Sequence, residues 1–151
     1  MKALIQRVSS ASVSIGGDCV AEIKTGLLVL LGVSESDTPR EVLWMVSKVA
    51  NLRVFNDAEG KMNLSLADTG GDTGGDVLLV SQFTLYGDAR KGNRPSFVQA
   101  ARPEIAKPLY EMFLSELQKT LNKSIPTGVF GADMQVSLIN DGPVTLMIET
   151  P

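Results

Sequence analysis

The chain has 151 residues, 44% hydrophobic and 21% charged, with a formal net charge of −3, which fits one domain with room for a sizeable core. It contains no histidine and a single cysteine, Cys19. Ser-His-Asp and Cys-His catalysis, the usual zinc hydrolase sites and an internal disulfide are therefore excluded.

A hydrolase built from this chain must draw its proton transfers from a carboxylate, a lysine, water or a group on the substrate. The acidic balance argues against broad electrostatic binding to nucleic acid, while leaving room for a local basic patch. No apolar run approaches a membrane span, and the stretch Met1 to Arg7 lacks the apolar segment of a signal peptide. A cytoplasmic protein with no membrane partner is expected.

Residues 2 to 33 read as strands. Ile5, Val8, Val13 and Ile15 lie among Ser and Arg in partial alternation. Gly16, Gly17 and Asp18 signal a hairpin, Val20 to Lys24 returns, and Leu27 to Leu31 is a central buried strand. Arg7, taken alone, is a solvated charge at a strand edge.

Thr38, Pro39 and Glu41 start a helix through an N-cap, a proline at the first helical position and a capping box. It should run to about Ala50, with Val42, Val46, Val49 and Ala50 as its apolar stripe and Leu43 beside it. Leu52 to Phe55 predicts a short strand, Asp57 to Gly60 a turn, and Lys61 to Leu66 an extended segment. Thr69 to Asp76 repeats Thr-Gly-Gly-Asp units. A phosphate cradle needs a strand before it and a helix after it, whereas here a strand follows, so a flexible surface loop is expected.

Val77 to Val80 is a buried apolar strand that turns polar without a break at Ser81, Gln82 and Thr84, around Phe83. Two readings stay open at this point: a strand edge carrying satisfied hydroxyls, or a reacting site whose geometry the strand fixes. In a regular strand Ser81 and Phe83 share one face, and Gln82 and Thr84 the other. For Ser81 and Thr84 both to touch a substrate, the strand must bend or end near Gln82. Arg90, Lys91 and Arg94 follow in a Gly- and Asn-rich loop, either as solvated charges or as a clamp for a phosphate-bearing substrate.

Pro103 to Leu121 predicts the second long helix, with Ile105, Leu109, Phe113, Leu117 and Leu121 at i, i+4 spacing and Pro108 disturbing the first turns. Gln135 to Ile139 is a strand, Asn140 to Pro143 a turn, and Val144 to Ile148 the last strand. No domain boundary is visible. The pattern is α+β, a single domain over residues 1–151 of mostly antiparallel strands curled toward a barrel, with two long helices outside.

Ser81-Gln-Phe-Thr-Leu85 and Asn140-Asp-Gly-Pro-Val-Thr145 resemble the two signature motifs of the D-aminoacyl-tRNA deacylases, also called D-tyrosyl-tRNA deacylases. The likeness spans essentially the whole chain and includes Gln6 to Val8, Leu52 to Phe55, Gly60 to Asn63, Arg94 to Phe97 and Gly128 to Met134. The one departure is the long glycine-rich loop at Thr69 to Asp76.

The resemblance implies an enzyme that cleaves the ester between a D-amino acid, or mischarged glycine, and the terminal adenosine of tRNA. It implies a homodimer with active sites at the subunit interface. Carried over by motif, Ser81, Gln82, Phe83 and Thr84 line the pocket. Gly142 and Pro143, joined by a cis peptide bond, reach across from the other subunit to screen chirality. Met134 lies near the terminal adenosine, and Arg7 holds the Gly-Pro loop. The missing histidine is answered by substrate-assisted cleavage, because the aminoacyl ribose carries its own vicinal hydroxyl and ammonium. The protein would supply positioning and backbone N–H donors around Gln82 to Thr84.

No cofactor is expected, and no ligand cluster suggests a metal. Two other classes remain: a dimeric, non-catalytic domain that holds a small metabolite, and a hydrolase of small esters with Thr84 as nucleophile.

Overall fold

The computed structural model describes residues 1–69 and 75–151. Of the glycine-rich loop expected at Thr69 to Asp76, residues 70–74 lie outside those described. The strands are β1 (Lys2–Ile15), β2 (Asp18–Ile23), β3 (Gly26–Gly32), β4 (Phe55–Asn56), β5 (Met62–Leu64), β6 (Asp76–Ser81) and β7 (Gln135–Glu149). The helices are α1 (Pro39–Asn51) and α2 (Pro103–Leu121).

β1 and β2 form the expected hairpin. Gly16 and Gly17 take φ of 57° and 88°, values that residues with a Cβ rarely adopt. β2 and β3 then lie end to end along β1, with Ala11 opposite Ile23 and Val8 opposite Gly26. β3 pairs in parallel with β6, from Gly26–Asp76 to Leu31–Ser81, and the crossover between them carries α1. β7 runs antiparallel along the other edge of β1, from Gln135 opposite Ser14 to Glu149 opposite Lys2.

Both faces of this curled sheet are covered. Ala3, Ile5, Leu27, Val29, Leu31, Val77 and Leu79 face the helices. Val8, Val13, Leu28, Leu78 and Val80 face the inside of the curl. Alternate residues of β3 and β6 thus enter two separate clusters. This explains the unbroken apolar runs at Leu27 to Leu31 and Val77 to Val80.

α1 starts as predicted. Its capping box is formed, with Glu41 Oε2 accepting from the Thr38 N–H at 2.8 Å. Its buried face includes Met45, and Leu43 is exposed. α2 runs without interruption through Pro108, contrary to the irregular start expected. A proline this near the N-terminus removes one N–H from the ladder, and Pro108 lies exposed on the solvent side. The buried face of α2 is Ala106, Tyr110, Phe113 and Leu117, so Ile105 points outward.

Three further expectations are corrected. The strand at Leu52 to Phe55 shrinks to Phe55 and Asn56. The Val54 N–H bonds back to the Leu52 carbonyl, and the Val54 carbonyl accepts from Arg7, so neither serves a ladder. The extended segment at Lys61 to Leu66 forms a strand only from Met62 to Leu64, because Ser65 and Asp68 close a turn. The two strands expected around Asn140 to Pro143 are one strand, β7, that does not reverse. Between Asn140 (opposite Val8) and Thr145 (opposite Gln6), five steps along β7 match two along β1. The excess is expelled as a bulge.

Gly26 sets how closely β3 and β6 approach. A Cβ there would lie 2.0 Å from the Asp76 carbonyl oxygen and 2.6 Å from its nitrogen, both backbone atoms that cannot turn aside. Gly26→Ala is expected to cost about 2–3 kcal/mol, the upper range for overpacking, in urea unfolding. A loss below about 0.5 kcal/mol, the size of an ordinary surface substitution, would contradict the close approach.

Candidate functional site

The last ladder bond of β6 is donated by the Gln82 N–H to the Leu31 carbonyl at 2.8 Å. Gln82 then departs from strand geometry, with φ −145° and ψ 79°, and Phe83–Tyr86 wind into a 3-10 turn. The strand therefore ends near Gln82, where it would have to bend or end for Ser81 and Thr84 both to touch a substrate. The N–H groups of Phe83 and Thr84 open that turn, and among the described residues neither donates to a backbone carbonyl. The Gln82 side-chain amide donates to the Thr84 hydroxyl.

Ser81, Gln82 and Phe83 border a cavity of about 620 Å³, a size typical of small-ligand sites. Its apolar wall includes Phe97, Tyr110, Phe130 and Met134, and Arg102 and Asp133 stand in its lining. Phe83 is 57% exposed and meets Phe97 edge to face at 5.2 Å. Tyr110 packs against Phe130 at 5.7 Å, and burial pushes its phenol up to about 12, so it stays protonated. Thr84 is exposed and takes no part in the cavity wall.

Arg7 is a buried residue, 8% exposed, and not the solvated charge expected from the sequence alone. On β1 it follows Ala3 and Ile5 in phase, so its side chain enters the helix-facing side. Nη1 donates to the Val54 carbonyl at 2.7 Å and to Asn56 Oδ1 at 3.4 Å. Nε donates to the Asp141 carbonyl at 3.3 Å and lies 3.2 Å from its carboxylate. The guanidinium thus sits at the root of the β7 bulge. Gly142 and Pro143 form the exposed bulge and are joined by a cis peptide bond, as the resemblance implied. Gly142 has φ of 124°, and a Cβ there would stand 2.9 Å from Val144 Cγ2 and 3.1 Å from Arg7 Nη2.

The predicted residues fall into three places. Ser81, Gln82, Phe83 and Met134 share the cavity, with Thr84 next to Phe83 but outside the wall, contrary to its expected place in the pocket lining. Arg7, Gly142 and Pro143 belong to the bulge, and within one chain neither Gly142 nor Pro143 borders that cavity. Arg90, Lys91 and Arg94 are exposed on their own loop. There the Arg90 guanidinium grips both carboxylate oxygens of Asp88 at 2.6–3.0 Å. The Arg90 hydrogen bonds hold the Asp88 carboxyl down at about 2, so the pair stays charged at any neutral pH. Arg90 is therefore already matched, whereas Lys91 and Arg94 have no ion pair among the described residues.

Sequence reasoning did not assign Phe97, Arg102, Tyr110 or Phe130 to the site. Phe97 and Phe130 stood inside motif segments and were the available signal. Arg102 and Tyr110 carried none, because only the packing of α2 brings them to the cavity. Among the described residues no group of three or more His, Cys, Asp or Glu side chains could hold a metal ion, and no helix is long and apolar enough to cross a membrane.

A family model described as D-Tyr-tRNA(Tyr) deacylase matches residues 4–149. A D-aminoacyl-tRNA deacylase of Akkermansia muciniphila is 55% identical over 150 residues, covering 99% of this chain and 97% of the relative. One from Dechloromonas aromatica has the same identity and coverage. A solved structure described as c-Myc DNA Unwinding Element Binding Protein superposes with a TM-score of 0.91 at 46% identity, covering 100% of this chain and 99% of that one. A probable eukaryotic D-amino acid tRNA deacylase, 17% identical with 97% of each chain covered, shares the fold at a TM-score of 0.82.

Arg7→Met keeps length and apolar bulk but removes every donor. It leaves the Val54 carbonyl and the Asp141 carboxylate without their partner, and should cost about 1.5–3 kcal/mol in urea unfolding. A loss under about 0.5 kcal/mol would show that the guanidinium is not held as described.

Proposed function

The chain belongs to the D-Tyr-tRNA(Tyr) deacylase family, and from that premise we propose how it selects and cleaves its substrate. It is a hydrolase acting on ester bonds, a D-aminoacyl-tRNA deacylase, which frees amino acid and tRNA as a proofreading step of translation. The finer reading is that the enzyme also removes glycine from mischarged tRNA. It rejects L-aminoacyl-tRNA sterically, works as a homodimer, and leaves part of the chemistry to the substrate.

The observation that carries this reading is the end of β6. A largely apolar cavity sized for a terminal nucleoside is bordered by Ser81 to Phe83, and the N–H groups of Phe83 and of Thr84, the next residue outside the wall, have no backbone acceptor among the described residues. The base and ribose of the terminal adenosine would lie against Phe130 and Met134. The carbonyl oxygen of the aminoacyl ester would then face the Phe83 and Thr84 N–H groups, which stabilise negative charge as it develops.

Water adds to the carbonyl carbon and gives up a proton, the ester C–O bond breaks, and the 3′ oxygen leaves and takes up that proton. No histidine exists to move it. The ribose 2′-hydroxyl beside the leaving oxygen is placed to do so, and holding it in line is the protein's contribution. Among the described residues the one side-chain partner of the Thr84 hydroxyl is the Gln82 amide N–H, a donor that cannot accept a proton. That environment favours Thr84 as a binding group over Thr84 as a nucleophile.

Discrimination poses a separate problem. D and L isomers carry the same groups, so attractive contacts separate them poorly, and exclusion requires an obstacle on one side of the α-carbon. A backbone wall at Gly142 and Pro143 would reject every L side chain, admit every D one and pass glycine. Because the bulge does not border the cavity of its own chain, a second copy must bring it there. β7 supports this arrangement. Among the described residues its outer edge is unpaired, and Ile139 (62% exposed), Leu146 and Met147 are presented on the same strand.

Thr84→Ala should keep D-deacylation within about tenfold of wild type, a barrier change of about 1.4 kcal/mol. Removal of the 2′-hydroxyl from a 3′-linked substrate should abolish turnover. An inactive Thr84→Ala protein that folds and binds substrate would make Thr84 the nucleophile. On the tRNA side, Lys91 and Arg94 are the two loop cations available for phosphates. Neutralising both should flatten the plot of log K against log salt by roughly 1.4–1.8, whereas Arg90→Gln alone should change it little. An unchanged slope for the double variant would place the phosphate contacts elsewhere.

A further inference from the structure

The bulge of β7 needs something to close its neck, and Arg7 does not do this. Its guanidinium reaches Asp141 from below, while the two strand ends where the extra residues leave and rejoin the ladder are Asn140 and Thr145. At that neck the Asn140 side chain makes three hydrogen bonds. Nδ2 donates to the Arg7 carbonyl at 2.9 Å and to the Val144 carbonyl at 3.0 Å. Its Oδ1 accepts from the Thr145 hydroxyl at 3.2 Å, and the Thr145 hydroxyl accepts in turn from Gln6 Nε2 at 3.2 Å.

Both N–H bonds of the amide are therefore matched, one to β1 and one to the returning limb of the bulge. The orientation of the amide follows from the chain of donors. Thr145 Oγ1 receives the Gln6 N–H, so its own proton goes to Asn140 Oδ1. A flipped amide would set an oxygen against two carbonyls. No other side chain among the described residues bridges the Arg7 and Val144 carbonyls.

We propose that Asn140 is the positioning residue of the chiral filter: its amide, oriented by the Gln6–Thr145 relay, closes the neck of the 141–144 bulge and fixes where Gly142 and Pro143 stand. The proposal rests on the reading that this bulge is the wall against L-substrates. It adds that the wall's placement is set by a side chain that touches neither the substrate nor the reacting atoms. A wall that discriminates by collision must hold its position to a fraction of an ångström, and a four-residue bulge anchored by Arg7 at Asp141 alone leaves its returning limb unfixed.

The test uses the full-length protein and compares wild type with Asn140→Asp and Asn140→Ala. Aspartate preserves the shape but turns two donors into acceptors facing two carbonyls, and alanine removes both donors. Two quantities are read: backbone NMR order parameters at Asp141, Gly142 and Val144, and the ratio of kcat/KM for L- against D-tyrosyl-tRNA. In wild type the order parameters should sit near ~0.85, and in both variants they should fall below ~0.6. The L-to-D ratio should rise at least about tenfold, which corresponds to about 1.4 kcal/mol of discrimination. A change in overall stability alone would lower the active fraction for both isomers equally and leave the ratio unmoved.

If the order parameters stay at wild-type values, Asn140 is not the closure and the proposal fails, whatever the ratio does. If the bulge loosens and L-substrate is still fully rejected, the bulge is not the wall, and both the proposal and the steric reading fall. Should either variant not fold, Thr145→Val removes the relay while keeping the Asn140 amide. It should give the same changes at smaller amplitude, and its failure to move either quantity would equally overturn the proposal.

Discussion

A buried guanidinium is the constraint on which the rest of the structure depends. Removing a charge from water costs several kcal/mol unless acceptors surround it. Arg7 meets that demand by drawing two separate stretches of chain to β1: Val54 and Asn56 after α1, and Asp141 at the root of the β7 bulge. Local irregularities follow from this one side chain. The Val54 carbonyl is diverted from any ladder, which shortens β4. The same charge ties the β7 bulge down. The exposed, irregular part of β7 is thereby anchored to a residue on the most extensively paired strand of the sheet, β1.

The division of labour at the site has the same origin in scaffold rigidity. A chain with no histidine has little acid–base chemistry to offer at neutral pH, and none of its carboxylates hydrogen-bonds to Thr84 among the described residues. What it does offer is placement. β6 is held between two apolar clusters, and its close approach to β3 is fixed at Gly26. Its end at Gln82 is therefore a rigid platform, and the N–H groups that follow point where the turn directs them. Catalysis by positioning and by backbone dipoles suits such a platform, and it suits a substrate whose own hydroxyl stands beside the bond to be broken.

Much of this was legible in the sequence, for physical reasons that can be named. The Gly16–Gly17 hairpin, the Thr38–Glu41 capping box and the doubly buried run Val77 to Val80 are local patterns, and local energetics decide them. The end of β6 was legible only on condition that Ser81 and Thr84 serve one site, since alternation forbids them from sharing a face of a regular strand. The rest depends on contacts distant in sequence. That Arg7 is buried follows from acceptors 47 and 134 residues away. That Asn140 to Pro143 is a bulge and not a reversal follows from pairing with β1, since Asp-Gly-Pro suits either. The outward turn of Ile105 and the inward turn of Tyr110 depend on how α2 meets α1 and the sheet, which i, i+4 spacing alone leaves free by one position. The cavity wall of Phe97, Arg102, Tyr110 and Phe130 comes from three separate segments and had no periodic signature.

The central claim is that one chain supplies the nucleoside cavity and its N–H donors, while a second chain supplies the wall that reads the α-carbon. The most direct measurement is a crystal structure with a non-hydrolysable D-aminoacyl-adenosine analogue. The account predicts the adenosine against Phe130 and Met134, with the carbonyl oxygen within hydrogen-bond distance of the Phe83 and Thr84 N–H groups. It also predicts Gly142 and Pro143 of a second subunit in contact with the α-carbon, on the side an L side chain would occupy. An analogue seated elsewhere, or a Gly142–Pro143 bulge remote from it in every subunit, would contradict the account.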